Sequence, residues 1–406
     1  MDLPSRDDLN CRASQSLLRG TRVALLWSRI GPYHLARAIA GEARLRKLGA
    51  SLHLAEVCSR DLYAWDTGEM VRPPWATTLF PSRDYSELKP RNLRASVVSW
   101  LGSVEPDAVV VNGWSVVEAR AALGWAASQR SRRAVVMSET KFDEAPRRFW
   151  KEWVKRRIVS KAQAGLVGGA PHAEYLQSLG VPKERIFLGY NAVDNDYFSR
   201  ESAVWRSRPP TVKAGPESPY FLASARFIAR KNLDGLLQAY ALYRNSASNA
   251  HSALWPLVVI GSGEQEGALR LLCSELGLDP FVHWPGFVQY QDLPRWYGGA
   301  GAFIHPALSE PWGLVINEAA SSSLPLLVAK PVGARYELVE DGVNGFVFDP
   351  CSSEDIARKM VRVFRLSSVE RARMGKAAKS KVDEFGPERF AQGLVSAVTS
   401  ALTARK

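Results

Sequence analysis

Short apolar runs alternate with longer amphipathic stretches along most of this chain. "RVALLW" (22–27) is the first run, followed by a glycine turn at Gly31 and the helical pattern "YHLARAIAGEARLRKLG", which stops at Gly49. "LHLAEVC" is the next strand, "PDAVVVNG" and "RAVVMSE" read as strands of the buried kind, and "AGLVGGA" and "RIFLGYNAVD" complete the first half. The pattern then lapses in a Pro-, Ser- and Arg-rich stretch that reads as a linker. It resumes with "YFLASA", "PLVVIGSG", "VHWPGFV", "GAFIHPAL", "LPLLVA" and "GFVFDP", separated by helical segments. Strand–helix alternation of this kind predicts α/β layers with parallel sheets, here two doubly wound halves. The expected division is a flexible N-terminus (1–20), a first domain (21–200), a linker (201–219), a second domain (220–383) and a closing helix (384–406).

Composition narrows the class. The chain has 406 residues, 46% hydrophobic and 23% charged, with a formal net charge of +12. That is globular composition with a bias toward anionic partners. The apolar runs are too short to span a bilayer, and the polar N-terminus lacks a signal-peptide core, so a cytosolic location is expected. Four scattered cysteines suggest reduced thiols, with neither a disulfide framework nor a zinc site. Eleven basic residues against four acidic ones fall between positions 130 and 161, which carries much of the excess charge.

The stretch "EPWGLVINEAAS" (310–321) follows an apolar strand directly. Pro311 suits a helix start and Gly313 permits close approach to the backbone. A helix from Leu314 and Val315 onward would aim free N–H groups and its positive end at an anion such as a diphosphate. Glu310 and Glu318 would flank that anion, about 12 Å apart along eight helical residues. The spacing suits a nucleotide-sugar, with one carboxylate accepting hydroxyl hydrogens at each end. Taken alone, the stretch reads equally well as a strand, loop and helix with two solvated acids. Upstream, Arg226 and Lys231 stand five residues apart at another strand-to-helix junction, where converging cations would neutralise a diphosphate leaving group.

In their order along the chain, Arg226, Lys231 with Asn232, "VIGSGE" (259–264), "WPGFV" (284–288), "PALSEPWGLVINEA" (306–319) and "EDGVNGF" (340–346) resemble the nucleotide-binding half of glycosyltransferase family 4, the group 1 glycosyl transferases. "GYNAVD" (189–194) also resembles a family stretch near the end of the first domain. The resemblance implies a GT-B fold of two Rossmann-like domains facing a cleft, with the C-terminal helix crossing back onto the first. It implies retaining transfer of a sugar from a nucleotide-sugar donor to a glycan, lipid-linked or small-molecule acceptor. By the same resemblance Arg226 and Lys231 bind the diphosphate, Glu310 the donor-sugar hydroxyls and Glu318 the ribose. The backbone of Gly313, Leu314 and Val315 supports phosphates and sugar. Gly261 and Gly263 line the nucleoside pocket, and backbone near Phe287 and Val288 faces the base. No cofactor or metal is expected.

The first half departs from the family pattern. Where many members carry a Gly-Gly pair, this chain has "WSRIGPYH" (27–34) with Gly31 alone. Where members often place a histidine, it reads Ser138, Glu139, Thr140. Two readings stay open for Glu139 (a contact to acceptor or sugar, or a cap) and for His34 (a crevice residue, or an ordinary helix-start residue). "DND" (194–196) reads as a turn and not as a metal site. The basic segment 146–161 carries Phe149, Trp150, Trp153, Val154 and Ile158 on one helical face. It fits either peripheral contact with an anionic membrane or a helix packed through its apolar side. Two rival functions are a nucleotide-sugar epimerase and a basic nucleic-acid-binding protein. No nucleic-acid motif is present, and no nucleic-acid partner is expected.

Overall fold

A computed structural model describes residues 16–59, 72–81, 83–144, 146–208, 216, 219–247 and 253–404. The chain divides into two compact units, residues 1–192 with 387–406, and residues 193–386. Each is a parallel sheet dressed with helices.

The first unit contains β1 (Arg22–Trp27), α1 (Pro32–Lys47), β2 (Ser51–Cys58), β3 (Ala76–Phe80), α2 (Pro90–Val104), β4 (Ala108–Asn112) and α3 (Val117–Ala127). It continues with β5 (Arg133–Ser138), α4 (Phe149–Val159), β6 (Ala164–Val167), α5 (Ala170–Ser178), β7 (Ile186–Leu188) and the last helix of the chain, α14 (Pro387–Thr403). Its sheet runs β3-β2-β1-β4-β5-β6-β7, with every pairing parallel. Val23, Leu25, Val110, Val135 and Leu166 pack on one face with Leu45 of α1 and Phe390, Leu394 and Val398 of α14. Leu26, Val109 and Val111 meet Val97 and Leu101 of α2 and Leu123 of α3 on the other. Burial of both faces is why these strands read as unbroken apolar runs.

The second unit contains α6 (Asn195–Ser207), β8 (Phe221–Ser224), α7 (Leu233–Ala247), β9 (Leu257–Ile260), α8 (Glu266–Glu275), β10 (Val282–Gly286), α9 (Leu293–Gly299) and β11 (Ala302–His305). Then follow α10 (Leu314–Ser321), β12 (Leu326–Ala329), α11 (Arg335–Leu338), β13 (Gly345–Phe348), α12 (Ser353–Phe364) and α13 (Ser368–Val382). The strand order is β10-β9-β8-β11-β12-β13, again all parallel. Helix α12 shows how the pattern becomes packing. The Ser352 hydroxyl accepts from the Asp355 amide at 3.1 Å, and Ile356, Met360 and Val363 turn inward, fully buried. Each such burial contributes about 1.5–3 kcal/mol.

Several expectations shift. Residues 201–207 were expected to be linker but finish α6, which belongs with the second unit. Asn195 donates to the Val382 carbonyl at 2.7 Å and Phe198 sets its ring 5.8 Å from that of Tyr297. The rest of the expected linker is largely outside the described residues. Leu18, inside the stretch expected to be flexible, is fully buried in the first core, while residues 1–15 lie outside the described residues. The edge strand β3 was not anticipated. Helix α4 is held through Glu152, Lys155, Ile158 and Val159, so its other aromatic and aliphatic residues turn outward instead of packing.

Candidate functional site

In a doubly wound sheet, ligands bind beyond the carboxyl ends of the strands where the strand order reverses. In the second unit that point lies between β8 and β11. The loop after β8 carries Arg226 and closes as a tight turn over Ala229–Lys231. The loop after β11 carries Glu310. Asn232 joins the two. It adopts φ +56°, uncommon for a residue with a side chain, and its amide donates to the carbonyls of Pro306 (3.1 Å) and Pro350 (2.8 Å). The Leu308 amide donates to the Arg230 carbonyl at 2.9 Å, and Arg230 donates to the Ser309 carbonyl at 3.0 Å.

These ties bring four charged or titratable side chains together. Glu310 Oε2 accepts from Lys231 Nζ and lies 3.3 Å from His305 Nε2, while Arg230 reaches Oε1 at 3.5 Å. Glu310 and Lys231 are only 7% and 9% exposed, so water does little to screen the pair. Burial pushes the Glu310 carboxyl up, but the His305 hydrogen bond and the Lys231 charge outweigh it and hold the acid well below its usual range. Burial lowers His305, against the pull of Glu310, so its imidazole is neutral near pH 7. Burial also lowers Lys231, again opposed by Glu310. The neutral His305 therefore uses Nε2–H as donor to the carboxylate, and its Nδ1 is buried without a hydrogen-bond partner.

Beside this cluster, Gly313 stands at the start of α10 with φ +99°, a conformation that favours glycine. The Glu310 carbonyl accepts from the Gly333 amide (3.1 Å) and the Trp312 carbonyl from the Ala334 amide (3.0 Å), which fixes the loop against the segment after β12. Trp312 is buried and donates to Asn317 at 2.8 Å, pinning the first turn. The leading N–H groups of α10, from Leu314 and Val315, have no acceptor within the helix.

Arg226 is exposed at the rim, near enough to Lys231 to lower it. Gly261 is required by packing. Its φ is +135°, and an added Cβ would stand 1.8 Å from the Ala225 carbonyl oxygen. A Cβ at Gly263 would likewise come within 2.6 Å of the Phe227 carbonyl. Both glycines let the Arg226 loop cross the end of β9. Phe287 is half-buried and Val288 buried just past β10. Glu318 is fully buried on α10 and accepts from Tyr297 at 2.6 Å. Burial and the Glu318 charge raise the Tyr290 phenol.

Of the first-unit candidates, Gly31 and His34 follow β1 at the corresponding reversal, between β1 and β4, and Glu139 follows β5. The Gly31 amide donates to His34 Nδ1 at 3.2 Å, so His34 closes the first turn of α1. Burial, with Arg37 and Arg29 nearby, lowers its imidazole to about 3. Glu139 is exposed beyond β5. Asp194 caps α6, accepting from the Tyr197 amide at 2.9 Å. Among the described residues no group of three or more His, Cys, Asp or Glu side chains is placed to hold a metal ion.

Sequence reasoning missed Arg230 and His305, each only a few residues from a candidate it did name. It also missed Arg37, buried under Tyr190 (5.2 Å) with Nε donating to the Ala192 carbonyl at 2.8 Å. Two buried acids were also missed. Glu56 accepts from the Ile30 amide (2.8 Å), Thr78 (2.8 Å) and Arg72 (2.6 Å). Glu118 accepts from Ser28 (2.5 Å) and Tyr85 (2.8 Å). A charged residue inside an apolar strand or helix face was the available signal for both.

Residues 208–381 match the family described as glycosyl transferases group 1. A sucrose synthase from Denitrovibrio acetiphilus is 32% identical over 170 residues, 36% of this chain and 20% of that protein. A D-inositol 3-phosphate glycosyltransferase from Streptomyces griseus is 32% identical over 187 residues, 45% of this chain and 39% of that protein. The matches thus span well under half the length of these curated relatives. The crystal structure of Anabaena HepE in complex with UDP and glucose superposes with a TM-score of 0.70 at 18% identity, covering 94% of this chain and 100% of that one. Over residues 208–381 the second unit is thus similar in sequence to the glycosyl transferases group 1, and the chain carries the GT-B fold of two Rossmann-like domains.

Proposed function

We propose that the protein transfers a sugar from a nucleotide-diphosphate-sugar to an acceptor hydroxyl with retention at the anomeric carbon, as in glycosyltransferase family 4. The observation that carries this reading is the buried Lys231–Glu310–His305 cluster at the reversal of the second sheet, beside the start of α10. Lys231, Arg226 and the leading amides of α10 hold the donor diphosphate and stabilise the charge that grows on it as it leaves. Glu310 stays ionised, holds Lys231 in place and accepts from the donor-sugar hydroxyls. Glu318 serves the ribose, whose hydroxyls join or displace Tyr297. Backbone near Phe287 and Val288 faces the base, alongside Gly261 and Gly263. Glu139, with His34 and Gly31, borders the acceptor side.

In the transfer, the bond from the anomeric carbon to the β-phosphate oxygen breaks and the acceptor oxygen bonds on the same face. The acceptor proton passes to the departing phosphate oxygen. The charge on the leaving group is met by cations and helix amides, so no metal is assigned a role. Because HepE was solved with UDP and with UDP-glucose, uridine donors are the first to test. The pathway proposed is glycan or glycoconjugate synthesis.

The test is thermal stabilisation by a panel of nucleotide-sugars, followed by NMR of the product formed with an acceptor. The expected result is a donor that raises the melting temperature and a product that keeps the donor's anomeric configuration. An inverted product overturns retention. Turnover of donor alone to an isomeric nucleotide-sugar makes the protein an epimerase.

A further inference from the structure

Helix α4 sits on the first unit in an unusual way. Its single acid, Glu152, is turned to its own neighbours, accepting from Lys155 (2.7 Å) and Tyr175 (2.8 Å), with Arg147 at 3.8 Å. Ile158 and Val159 pack inward. The opposite arc carries Phe149, Trp150, Trp153 and Val154, which are 87%, 59%, 52% and 42% exposed. Surface aromatics of soluble proteins seldom cluster on one helix at such exposure.

Cations surround this arc. Arg157 lies over the Trp153 ring at 5.0 Å and Lys151 over Trp150 at 5.4 Å, while Arg148 and Arg156 are exposed at either end. Two residues past the helix, Lys161 lines a groove shared with Arg94 of α2 and Arg120 of α3. With Glu152 turned away, the outward arc of α4 holds aromatic, aliphatic and basic side chains and no acid.

We propose that α4 is a docking face for an anionic phospholipid surface. The helix would lie along the bilayer, with Phe149, Trp150, Trp153 and Val154 in the headgroup–acyl boundary. Tryptophan is favoured at that depth because its ring is apolar and its N–H still finds water or a headgroup. Arg148, Lys151, Arg156 and Arg157 would meet lipid phosphates, and the Lys161–Arg94–Arg120 groove would extend the basic footprint. A nucleic acid would also attract the cations. It gives no reason, however, for the most exposed of these apolar positions to be a phenylalanine, or for a valine on the same arc. This surface belongs to the first unit and the donor site to the second, and its readout is vesicle binding, so either proposal can fail without the other.

The experiment is flotation of the full chain with vesicles of phosphatidylcholine alone and of phosphatidylcholine with phosphatidylglycerol, at low salt. The protein is expected to float with the phosphatidylglycerol vesicles only, and to be released by salt. Trp150→Ala with Trp153→Ala should abolish flotation. Arg156→Gln with Arg157→Gln should weaken it about 30-fold, from the usual contribution of a basic residue near an anionic surface. All four positions are exposed, and circular dichroism would check that the variants keep the fold. No flotation with either vesicle overturns the proposal. So does flotation unchanged in both variants, a preference for oligonucleotide over vesicle, or a concentration-dependent dimer that the tryptophan variant abolishes.

Discussion

The two units use the same strand order at their reversals and treat charge there in opposite ways. In the first, the acids stand behind the loop. Glu56 holds the Ile30 amide and Glu118 holds Ser28, so both carboxylates serve as anchors for the turn that leads into α1. In the second, the acid is part of the cluster itself, where Glu310 is gripped by Lys231 and His305. An anchoring acid fixes the backbone and leaves the ligand side to other groups. An acid inside the cluster holds its neighbours in place and opposes the loss of their charge on burial. The same topology therefore builds a brace in one unit and a buried charge cluster in the other.

The comparison breaks most visibly at Lys231. Lys231→Ala should lower kcat by roughly 10²–10³-fold in a transfer assay, about 2.7–4 kcal/mol of lost charge stabilisation. Near-normal turnover with an intact fold would remove the lysine from the leaving-group site. Next in size is Glu56→Gln, which keeps the shape and leaves Arg72 without its carboxylate. Urea denaturation should show about 3 kcal/mol of lost stability, while nucleotide-sugar stabilisation of the variant stays as in the parent. An unchanged midpoint would mean that Glu56 does not brace the loop.

Near neutral pH the smallest effect is a pH dependence at His34, which grows toward acid. The folded imidazole stays neutral down to about 3, whereas the unfolded one takes up a proton near 6.5. As pH falls between those values the unfolded state binds the extra proton, so stability is lost toward acid and is fully present above 6.5. His34→Gln should flatten that part of the urea-midpoint profile. A parallel profile would show that the imidazole titrates normally in the folded chain.

The legibility of the two sites in sequence follows from how they are assembled. Arg226, Lys231 and Glu310 sit in short contiguous signatures, because each of the two loops contributes its groups within a few residues. The brace of the first unit is built from distant positions, Ser28 with Glu118 and Ile30 with Glu56, and no local pattern announces such pairs. The inner strands β9, β11 and β12 of the second sheet were plain because both faces are buried. Strand β3, "ATTLF", was not, since it lies at the sheet edge, half-exposed and rich in threonine. Helix α13 was missed despite its Ser367–Glu370 capping box, because few of its residues are buried and its apolar stripe is thin. His305 was hidden by its setting, as the last residue of an apolar strand. For α4 the period was legible, but which side faced the protein was decided by Glu152 and its partners on other elements.

Asn232 carries a lesson for engineering. Because one side chain is bonded to Pro306 and Pro350 at once, the segments after β8, β11 and β13 share a single fastening. A chimera that imports one of these loops from a relative, to change donor preference, would mismatch the other two. Residues 226–232 and 306–313 should be exchanged as one cassette, with Pro350 kept in register.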